Sequence, residues 1–207
     1  MKQSIIASAL LLSFATAGIA TGQEIPEMPK PTKEHQWLKK FAGRWTATSK
    51  GVMEEGQPPV ETTATINSQL VGGFWIINRM QGKFKGPDAK ASAMTFKGIQ
   101  TIGYDVKKKK YVGTWIASMD GYLWHYQGTV EKNGTKLVLE ADGPDMVDPT
   151  KTIKYRDAYE FKSKDEMIVT SSMQKPDGTW FTFMNGTSKR IPKKAKAKKG
   201  GEKEKRK

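Results

Sequence analysis

Apolar and polar residues alternate along most of the chain beyond residue 44, in short runs that turn residues separate. An alternation with a period of two puts successive side chains on opposite faces, as in a β-strand with one buried face. The runs are also rich in Thr, Val, Ile and aromatic residues, which favour strands. The pattern predicts ten strands, over residues 45–53, 60–70, 74–82, 96–105, 111–119, 122–130, 135–141, 151–161, 166–174 and 179–190.

Tight turns join several of these predicted strands. Asp120-Gly121, Asn133-Gly134 and Pro176-Asp177-Gly178 favour hairpins, because these residues adopt positive φ angles at low cost. Strands that hairpins join in succession form an antiparallel meander, and ten of them without an intervening helix must curl or split. Because closure removes exposed edges, we predict an all-β fold, an antiparallel up-and-down β-barrel of about ten strands. A sandwich of two sheets is the alternative.

A short N-terminal helix is predicted before the first strand. In KEHQWLKKFAG, residues 33–43, the side chains of Trp37, Leu38 and Phe41 cluster on one side, and Gly43 ends the helix. The helix and the strands together give one barrel domain over residues 34–190, which is long enough to bury a sizeable core.

The first residues, MKQSIIASALLLSFATAGIATGQ, have the pattern of a secretory signal peptide. One lysine precedes an apolar run over residues 5–19, and small residues follow as a cleavage site. This run is shorter than the ~20 apolar residues that span a bilayer as a helix, so a transmembrane anchor is not expected. We therefore predict a signal peptide over residues 1–22, a secreted or periplasmic protein, and a flexible, proline-containing lead-in over residues 23–33.

The chain contains no cysteine, although small exported domains often depend on disulfides. Its stability must therefore come from packing, for which six tryptophans, six tyrosines and eight phenylalanines supply the bulk. The absence of cysteine also excludes thiol catalysis, thiolate metal sites and iron–sulfur clusters.

Most of the formal net charge of +14 lies in a low-complexity tail. From residue 189 onward the sequence KRIPKKAKAKKGGEKEKRK holds eleven Lys and Arg against two Glu, a net charge of +9. Such a run is typical of a solvated appendage, so we predict a disordered basic tail over residues 191–207. Its lysines would attract anionic polymers or surfaces weakly and without specificity. Specific nucleic-acid binding is not expected, because the tail has no aromatic residue to stack on bases.

The stretch FAGRWTATSKG resembles the entry of calycin barrels, the group that contains lipocalins and fatty-acid-binding proteins. Gly43 lets the chain turn sharply into the first strand, and Trp45 places an indole in the closed end of the barrel, where its N–H needs a buried acceptor. In lipocalins an arginine near the end of the last strand stacks on this indole. The resemblance assigns that role to Arg190, with Arg44 and Arg156 as alternatives.

Several separated blocks together resemble one bacterial family, the domain of unknown function 1579. The blocks are HQWLKKFAGRW, VGGFWIINRMQG, GIQTIGYDVKKKKYVGTW, KTIKYRDAYEF and PDGTWFTFMNGTSKR. The likeness covers residues 34–190, nearly all of the predicted folded region. It implies a small, often exported β-barrel, and it transfers no catalytic residue.

The strand faces that carry the larger apolar residues also carry a few polar ones. If these faces point inward, the barrel interior is mostly aromatic and methionine, which is typical of a small-molecule pocket when a few polar groups converge in it. We therefore predict that a small, largely apolar molecule binds inside the barrel. The predicted ligand-binding residues are Asn78, Gln100, Tyr155, Asp157, Tyr159, Ser171 and Thr182. The alternatives are a filled barrel whose polar groups satisfy one another, and an envelope scaffold that contacts anionic surfaces through the tail.

His125 is the one histidine within the predicted strands. Haem binding through His125 is the specific alternative, since a single histidine can hold haem iron. The alternation puts His125 on the less apolar face of its strand, and Asp157 on a face of different character, so an acid–base pair is not expected. We predict no catalytic residues, no metal ligands and no cofactor.

Overall fold

The computed structural model describes residues 27–52, 56–85, 92–131 and 133–192 of the chain. The predicted signal peptide over residues 1–22, the start of the predicted lead-in and the tail beyond residue 192 lie outside the described residues. Residues 27–30 belong to a separate unit and contain neither helix nor strand, and the second unit begins at Pro31. None of the described helices is long and apolar enough to cross a membrane.

The second unit opens with a short helix, α1 (Lys33–Trp37), which a 3₁₀ turn extends over Leu38–Lys40. Its apolar side chains turn toward the barrel, as their spacing predicts. Leu38 is fully buried, and the indole of Trp37 packs edge-on against the ring of Phe161 in a later strand. The helix therefore covers one end of the barrel.

The described residues form ten strands, each antiparallel to its neighbours, and the first pairs with the last to close a barrel. The strands are β1 (Gly43–Gly51), β2 (Val60–Val71), β3 (Trp75–Lys85), β4 (Met94–Asp105), β5 (Lys110–Ala117), β6 (Asp120–Val130), β7 (Lys136–Pro144), β8 (Thr152–Phe161), β9 (Glu166–Gln174) and β10 (Trp180–Arg190). This confirms the prediction of an all-β fold, an antiparallel up-and-down barrel with a short N-terminal helix. It excludes the two-sheet sandwich.

Closure of the barrel fixes which side chains point inward. Trp45 pairs with Arg190 of β10 on one side and with Ile66 of β2 on the other, and the register continues from strand to strand around the wall. Directly paired residues point to the same face, and successive residues of a strand point to opposite faces. Alternate residues of each strand therefore line the interior, and their neighbours face outward.

The interior is packed most tightly at the end that the helix covers, which we call the closed end. The rings of Phe41 and Tyr159 meet there at 5.5 Å between their centres, and those of Phe41 and Phe161 at 5.1 Å. The largest fully buried side chains gather at this end and are Leu38, Phe41, Trp45, Ile76, Ile102, Leu137 and Leu139. The opposite end, where β1 ends and β2 begins, is called the open end.

The indole of Trp45 and the guanidinium of Arg190 hold the closed end together. Nε1 of Trp45 donates to the carbonyl of Phe41 at 2.8 Å, which supplies the acceptor that a buried indole needs. The Arg190 guanidinium lies 4.0 Å from the centre of the Trp45 ring and donates to the carbonyls of Lys40 and Ala42. Arg190 thus ties the last strand to the helical segment and to the first strand.

The two other arginines considered for this stack lie elsewhere. Arg44 is exposed on the outer face of β1. Arg156 stacks on the outward ring of Trp180, with its guanidinium carbon 3.8 Å from the ring centre. The stack on Trp45 therefore belongs to Arg190.

We expect Gly43→Ala to lower the free energy of unfolding by about 2 kcal/mol. Gly43 has a φ of +126°, which side-chain-bearing residues rarely adopt, and a Cβ atom there would lie 2.7 Å from Nη1 of Arg190. Urea denaturation measures the loss. The matched control is Gly121→Ala, because a Cβ at Gly121 has no heavy atom within 4 Å. Equal losses in the two variants would contradict the role given to Gly43.

Candidate functional site

Six inward polar side chains from five strands meet inside the barrel, and we call them the polar cluster. The register brings them together, because Asn78 pairs with Gln100, and Asp157 pairs with Ser171. The members of the polar cluster are Asn78 of β3, Gln100 of β4, Tyr126 of β6, Asp157 and Tyr159 of β8, and Ser171 of β9.

Hydrogen bonds link three members of the polar cluster in a chain. Nδ2 of Asn78 donates to Oε1 of Gln100 at 2.9 Å, and Nε2 of Gln100 donates to the hydroxyl oxygen of Tyr159 at 2.7 Å. The chain ends at an unsatisfied atom. Oδ1 of Asn78 is buried and has no hydrogen-bond partner within the described part of the protein. Such an orphaned acceptor is uncommon in folded proteins and requires a reason.

Asp157 is the acid of the polar cluster. The hydroxyl of Tyr126 donates to its Oδ2 at 2.8 Å, and the hydroxyl of Ser171 donates to its Oδ1 at 2.5 Å. No ion pair with a described lysine or arginine balances its charge. Burial raises the pKa of Asp157, and the bonds from Ser171 and Tyr126 only partly oppose this effect.

Protein atoms surround the carboxyl group of Asp157 densely, although the residue as a whole is not fully buried. It keeps accessible surface, whereas its partners Ser171 and Tyr126 are buried. Burial and the nearby charge of Asp157 also raise the pKa values of the Tyr126 and Tyr159 hydroxyls, which therefore stay protonated.

We call the part of the barrel interior between the polar cluster and the open end the lumen. The largest inward side chains at the closed end are fully buried, whereas most inward residues toward the open end keep accessible surface. The inward residues with accessible surface include Ser49, Ala64, Phe84, Phe96, Trp115 and Met184. The barrel is therefore less tightly packed toward the open end than at the closed end.

Glycines on the inner wall let aromatic rings come close to it. A Cβ atom at Gly98 would lie 2.0 Å from the ring of Trp115, and a Cβ at Gly82 would lie 2.5 Å from the ring of Phe96. Each ring occupies the place that a side chain at the neighbouring glycine would fill. The rings therefore lie closer to the wall than side chains in place of these glycines would allow.

The wall itself is interrupted between β6 and β7. These strands pair only from Gln127 with Glu140 to Val130 with Leu137, so the first part of β6 and the last part of β7 diverge. Side chains fill the gap. The hydroxyl of Tyr122 donates to the carbonyl of Asp142 at 3.2 Å, and the ring of Trp124 lies where a Cβ of Gly143 would be.

The structure brings five of the seven sequence-predicted ligand-binding residues into the polar cluster: Asn78, Gln100, Asp157, Tyr159 and Ser171. Tyr155 also points inward but lies nearer the open end, where its hydroxyl donates to the carbonyl of Pro144 at 2.7 Å. Its ring packs edge-on against Trp124, 4.9 Å between centres, and burial raises its pKa to about 12.

The prediction that the side chain of Thr182 points into the barrel is wrong. Phe183 has no partner in β9, so the register shifts between Thr182 and Met184, as in a β-bulge. The shift turns Thr182 outward, where its hydroxyl lies 2.9 Å from that of Ser172 on the outer face. Trp180 lies on the outer face too, and Met184 points inward.

Sequence reasoning missed Tyr126 as a member of the polar cluster. The alternation places Tyr126 on the same face as Trp124, but this face reads as aromatic bulk and not as a source of polar groups. The feature that could have indicated this role is the hydroxyl group of Tyr126, which needs a hydrogen-bond partner wherever the ring is buried. Asp157 supplies that partner from a strand two positions away in the barrel.

His125 is exposed on the outer face of β6, the less apolar face on which the alternation places it, so it does not face the barrel interior. It lines an external groove of about 510 Å³ beside the β6–β7 gap, together with Trp75, Val112, Asp142 and Lys154. Within the described ranges, no group of three or more His, Cys, Asp or Glu side chains is placed to hold a metal ion.

The geometry defines a class of protein, a closed ten-stranded barrel with one plugged end, a lumen and a polar floor. The chain belongs to the family described as protein of unknown function DUF1579, whose model matches residues 30–190. No protein with a curated description matches it.

Two solved structures show the same fold at 14% sequence identity. Rv2717c from M. tuberculosis has a TM-score of 0.55, and the match covers 79% of this chain and 100% of that one. The S-type phycobiliprotein lyase CPES from Guillardia theta has a TM-score of 0.52, again over 79% of this chain and 100% of that one. At this identity the likeness shows the fold alone.

We expect Asp157→Asn to remove a pH-dependent loss of stability. The pKa of Asp157 is raised above its ordinary value of 3.8, so the folded protein holds this proton more tightly than the unfolded chain. The contribution of Asp157 to the free energy of unfolding is therefore fully present below pH 3.8, the ordinary pKa of the group, and is lost as the pH rises through the folded-state pKa. Relative to Asp157→Asn, the wild type should lose free energy of unfolding as the pH increases from 4 to 8, as urea denaturation measures.

Asp177→Asn is the control with the opposite sign. In its exposed turn, hydrogen bonds from Thr179 lower the pKa of Asp177, so its contribution is present at higher pH and lost as the pH falls. A wild-type stability that changes with pH in parallel with that of Asp157→Asn would show that Asp157 is not the buried acid described above.

Proposed function

We propose that the protein binds a small, largely apolar molecule in the lumen, against the polar cluster. The observation that carries this proposal is the contrast along the barrel axis. The largest inward side chains at the closed end are fully buried and most inward residues toward the open end keep accessible surface, with an incompletely bonded polar cluster between the two regions. A filled barrel would bury its inward side chains along its whole length.

The composition of the lumen supports the same proposal. Its walls are aromatic and aliphatic, and the polar groups converge at one level. Pockets that bind small molecules usually combine apolar walls with a few placed polar groups that set the orientation of the ligand. Here the apolar walls include Phe96, Trp115 and Met184. The polar groups that would orient the ligand are those of Asn78 and Asp157.

The unsatisfied Oδ1 of Asn78 supports binding more than mere packing. A buried polar atom without a partner costs about 1–3 kcal/mol. Asn78 is only 6% exposed, so bulk water reaches it poorly. A ligand group that donates a hydrogen bond to Oδ1 would relieve this cost, and the relief would add to the affinity.

Binding is favoured over catalysis by the content of the polar cluster. It holds one carboxyl group, two phenols, two amides and one hydroxyl, without an imidazole or an amine among the described residues. His125 lies on the other side of the wall. One of the similar folds bears the name of a lyase, but a shared fold does not carry a reaction to this chain.

Filling the lumen should abolish binding. Ala64 points inward between Ala47 and Gly82, so Ala64→Phe would place a ring in the lumen. Thr63→Phe is the matched control, since Thr63 is exposed on the outer face of the same strand. We expect Ala64→Phe to weaken the binding of N-phenyl-1-naphthylamine, a neutral probe that brightens in apolar surroundings, at least tenfold, and Thr63→Phe to leave it unchanged.

Two results would contradict the proposal. One is a wild-type protein that leaves the emission of the probe unchanged at any concentration. The other is an equal loss in both variants, which would place the probe on the outer surface. Circular dichroism of both variants shows whether the barrel remains folded.

Export and contacts of the tail stay predictions, because residues 1–26 and 193–207 lie outside the described residues. We propose that the protein is exported and that the basic tail attracts anionic surfaces. N-terminal sequencing of the protein from its host checks the proposal of export, and a protein that still begins at Met1 would contradict it.

Binding to anionic vesicles checks the proposal for the tail. The binding should weaken as salt is added and should be lost when residues 193–207 are deleted.

A further inference from the structure

We propose that the lumen selects an uncharged molecule with a flat apolar body and one hydroxyl group, such as a phenol, and that it discriminates against carboxylates. This inference rests on the proposed function and names the chemical class of its ligand. It follows from the charge around the lumen, the atom left unsatisfied in the polar cluster, and the shape of the walls.

The charge around the lumen disfavours an anion. Asp157 stands at its floor, and Asp120 stands at the rim, where Oδ2 accepts a hydrogen bond from Trp124 at 2.7 Å. Among the described inward residues the only cation is Arg190, which is committed to backbone carbonyls at the closed end. A carboxylate that entered as far as the polar cluster would lose its hydration, meet no positive partner and lie beside an acid.

A cation is present at the rim but not at the floor. Nζ of Lys175 lies 5.5 Å from the centre of the Phe181 ring, in the turn after β9. Ser171 of the polar cluster is four residues earlier, roughly 13 Å along an extended strand. Lys175 is therefore too far from the floor to neutralise a charge there.

One acceptor of the polar cluster lacks a hydrogen-bond donor. Oε1 of Gln100 and the oxygen of Tyr159 each already accept a bond, and both oxygens of Asp157 accept hydroxyl donors. Oδ1 of Asn78 is the acceptor left without a donor within the described residues. A hydroxyl group donates one hydrogen bond and carries no charge, so it satisfies Asn78 without a cost from the neighbouring acid.

The walls favour a flat body. Phe96 and Trp115 lie against Gly82 and Gly98, and Phe84 stands 6.4 Å from Phe96 between ring centres. Rings that cover the wall present their faces and edges to whatever lies on the axis. An aromatic guest gains offset or edge-to-face contacts with them in addition to the area that it buries.

Three matched compounds test the inference by isothermal titration calorimetry at pH 7. They are 2-naphthol, which is neutral and donates; 2-methoxynaphthalene, which is neutral and cannot donate; and 2-naphthoate, which is an anion. Phenol, anisole and benzoate repeat the comparison with one ring. We expect the hydroxyl compound to bind at least tenfold more tightly than the methoxy compound, and the carboxylate to bind more weakly than both.

Asn78→Leu removes the acceptor and keeps a similar volume. In this variant the preference for the hydroxyl over the methoxy compound should fall to within about twofold. Asn67→Leu is the control, because Asn67 is exposed on the outer face of β2, and it should keep the preference. If Asn78→Leu does not fold, the three-compound comparison on the wild type still decides the question.

The outcomes separate this inference from the proposed function. Equal affinity for the three compounds, or tightest binding of the carboxylate, would overturn the inference and leave the lumen as a binding site. A hydroxyl preference that persists in a folded Asn78→Leu variant would also overturn it. No binding of any compound by the wild type would overturn the proposed function together with the inference.

Discussion

Pairing between β1 and β10 is the constraint on which the rest of the structure depends. It converts a meander of hairpins into a closed wall, and only a closed wall has an inside. The pairing begins at Trp45 and Arg190, the same two side chains that stack at the closed end. Closure of the wall and covering of the closed end therefore depend on the same residue. Arg190 joins the last strand to the helical segment, and the helical segment covers the closed end.

The two ends of the barrel differ in how tightly their inward side chains are packed. Near the helix, large aliphatic and aromatic side chains are fully buried and supply the hydrophobic free energy that a chain without disulfides needs. Toward the open end most inward residues keep accessible surface, so this region gives up packing that a filled barrel would have. Loose packing toward the open end and an incompletely bonded polar cluster both oppose stability, and proteins retain such features chiefly at functional sites.

Most of the fold could be predicted from the sequence because alternation and turn chemistry are local. Ten runs, their hairpin turns and the Gly-x-Trp entry specify the strands and their order. The contents of the interior were harder to predict, since they depend on register. One unpaired residue, Phe183, reverses the orientation of Thr182, and no local pattern marks that shift. The bond between Tyr126 and Asp157 and the unsatisfied oxygen of Asn78 arise from strands far apart in the chain, so only the closed structure reveals them.

The central claim is that the lumen holds a small molecule against the polar cluster. A crystal structure grown with 6-bromo-2-naphthol tests this claim most directly. The anomalous signal of bromine locates the compound independently of the fitted side chains. We expect one bromine peak inside the barrel, bordered by Phe96, Trp115 and Met184, with the naphthol hydroxyl at Asn78. Side chains that meet across the axis, with the bromine outside the wall or absent, would contradict the account.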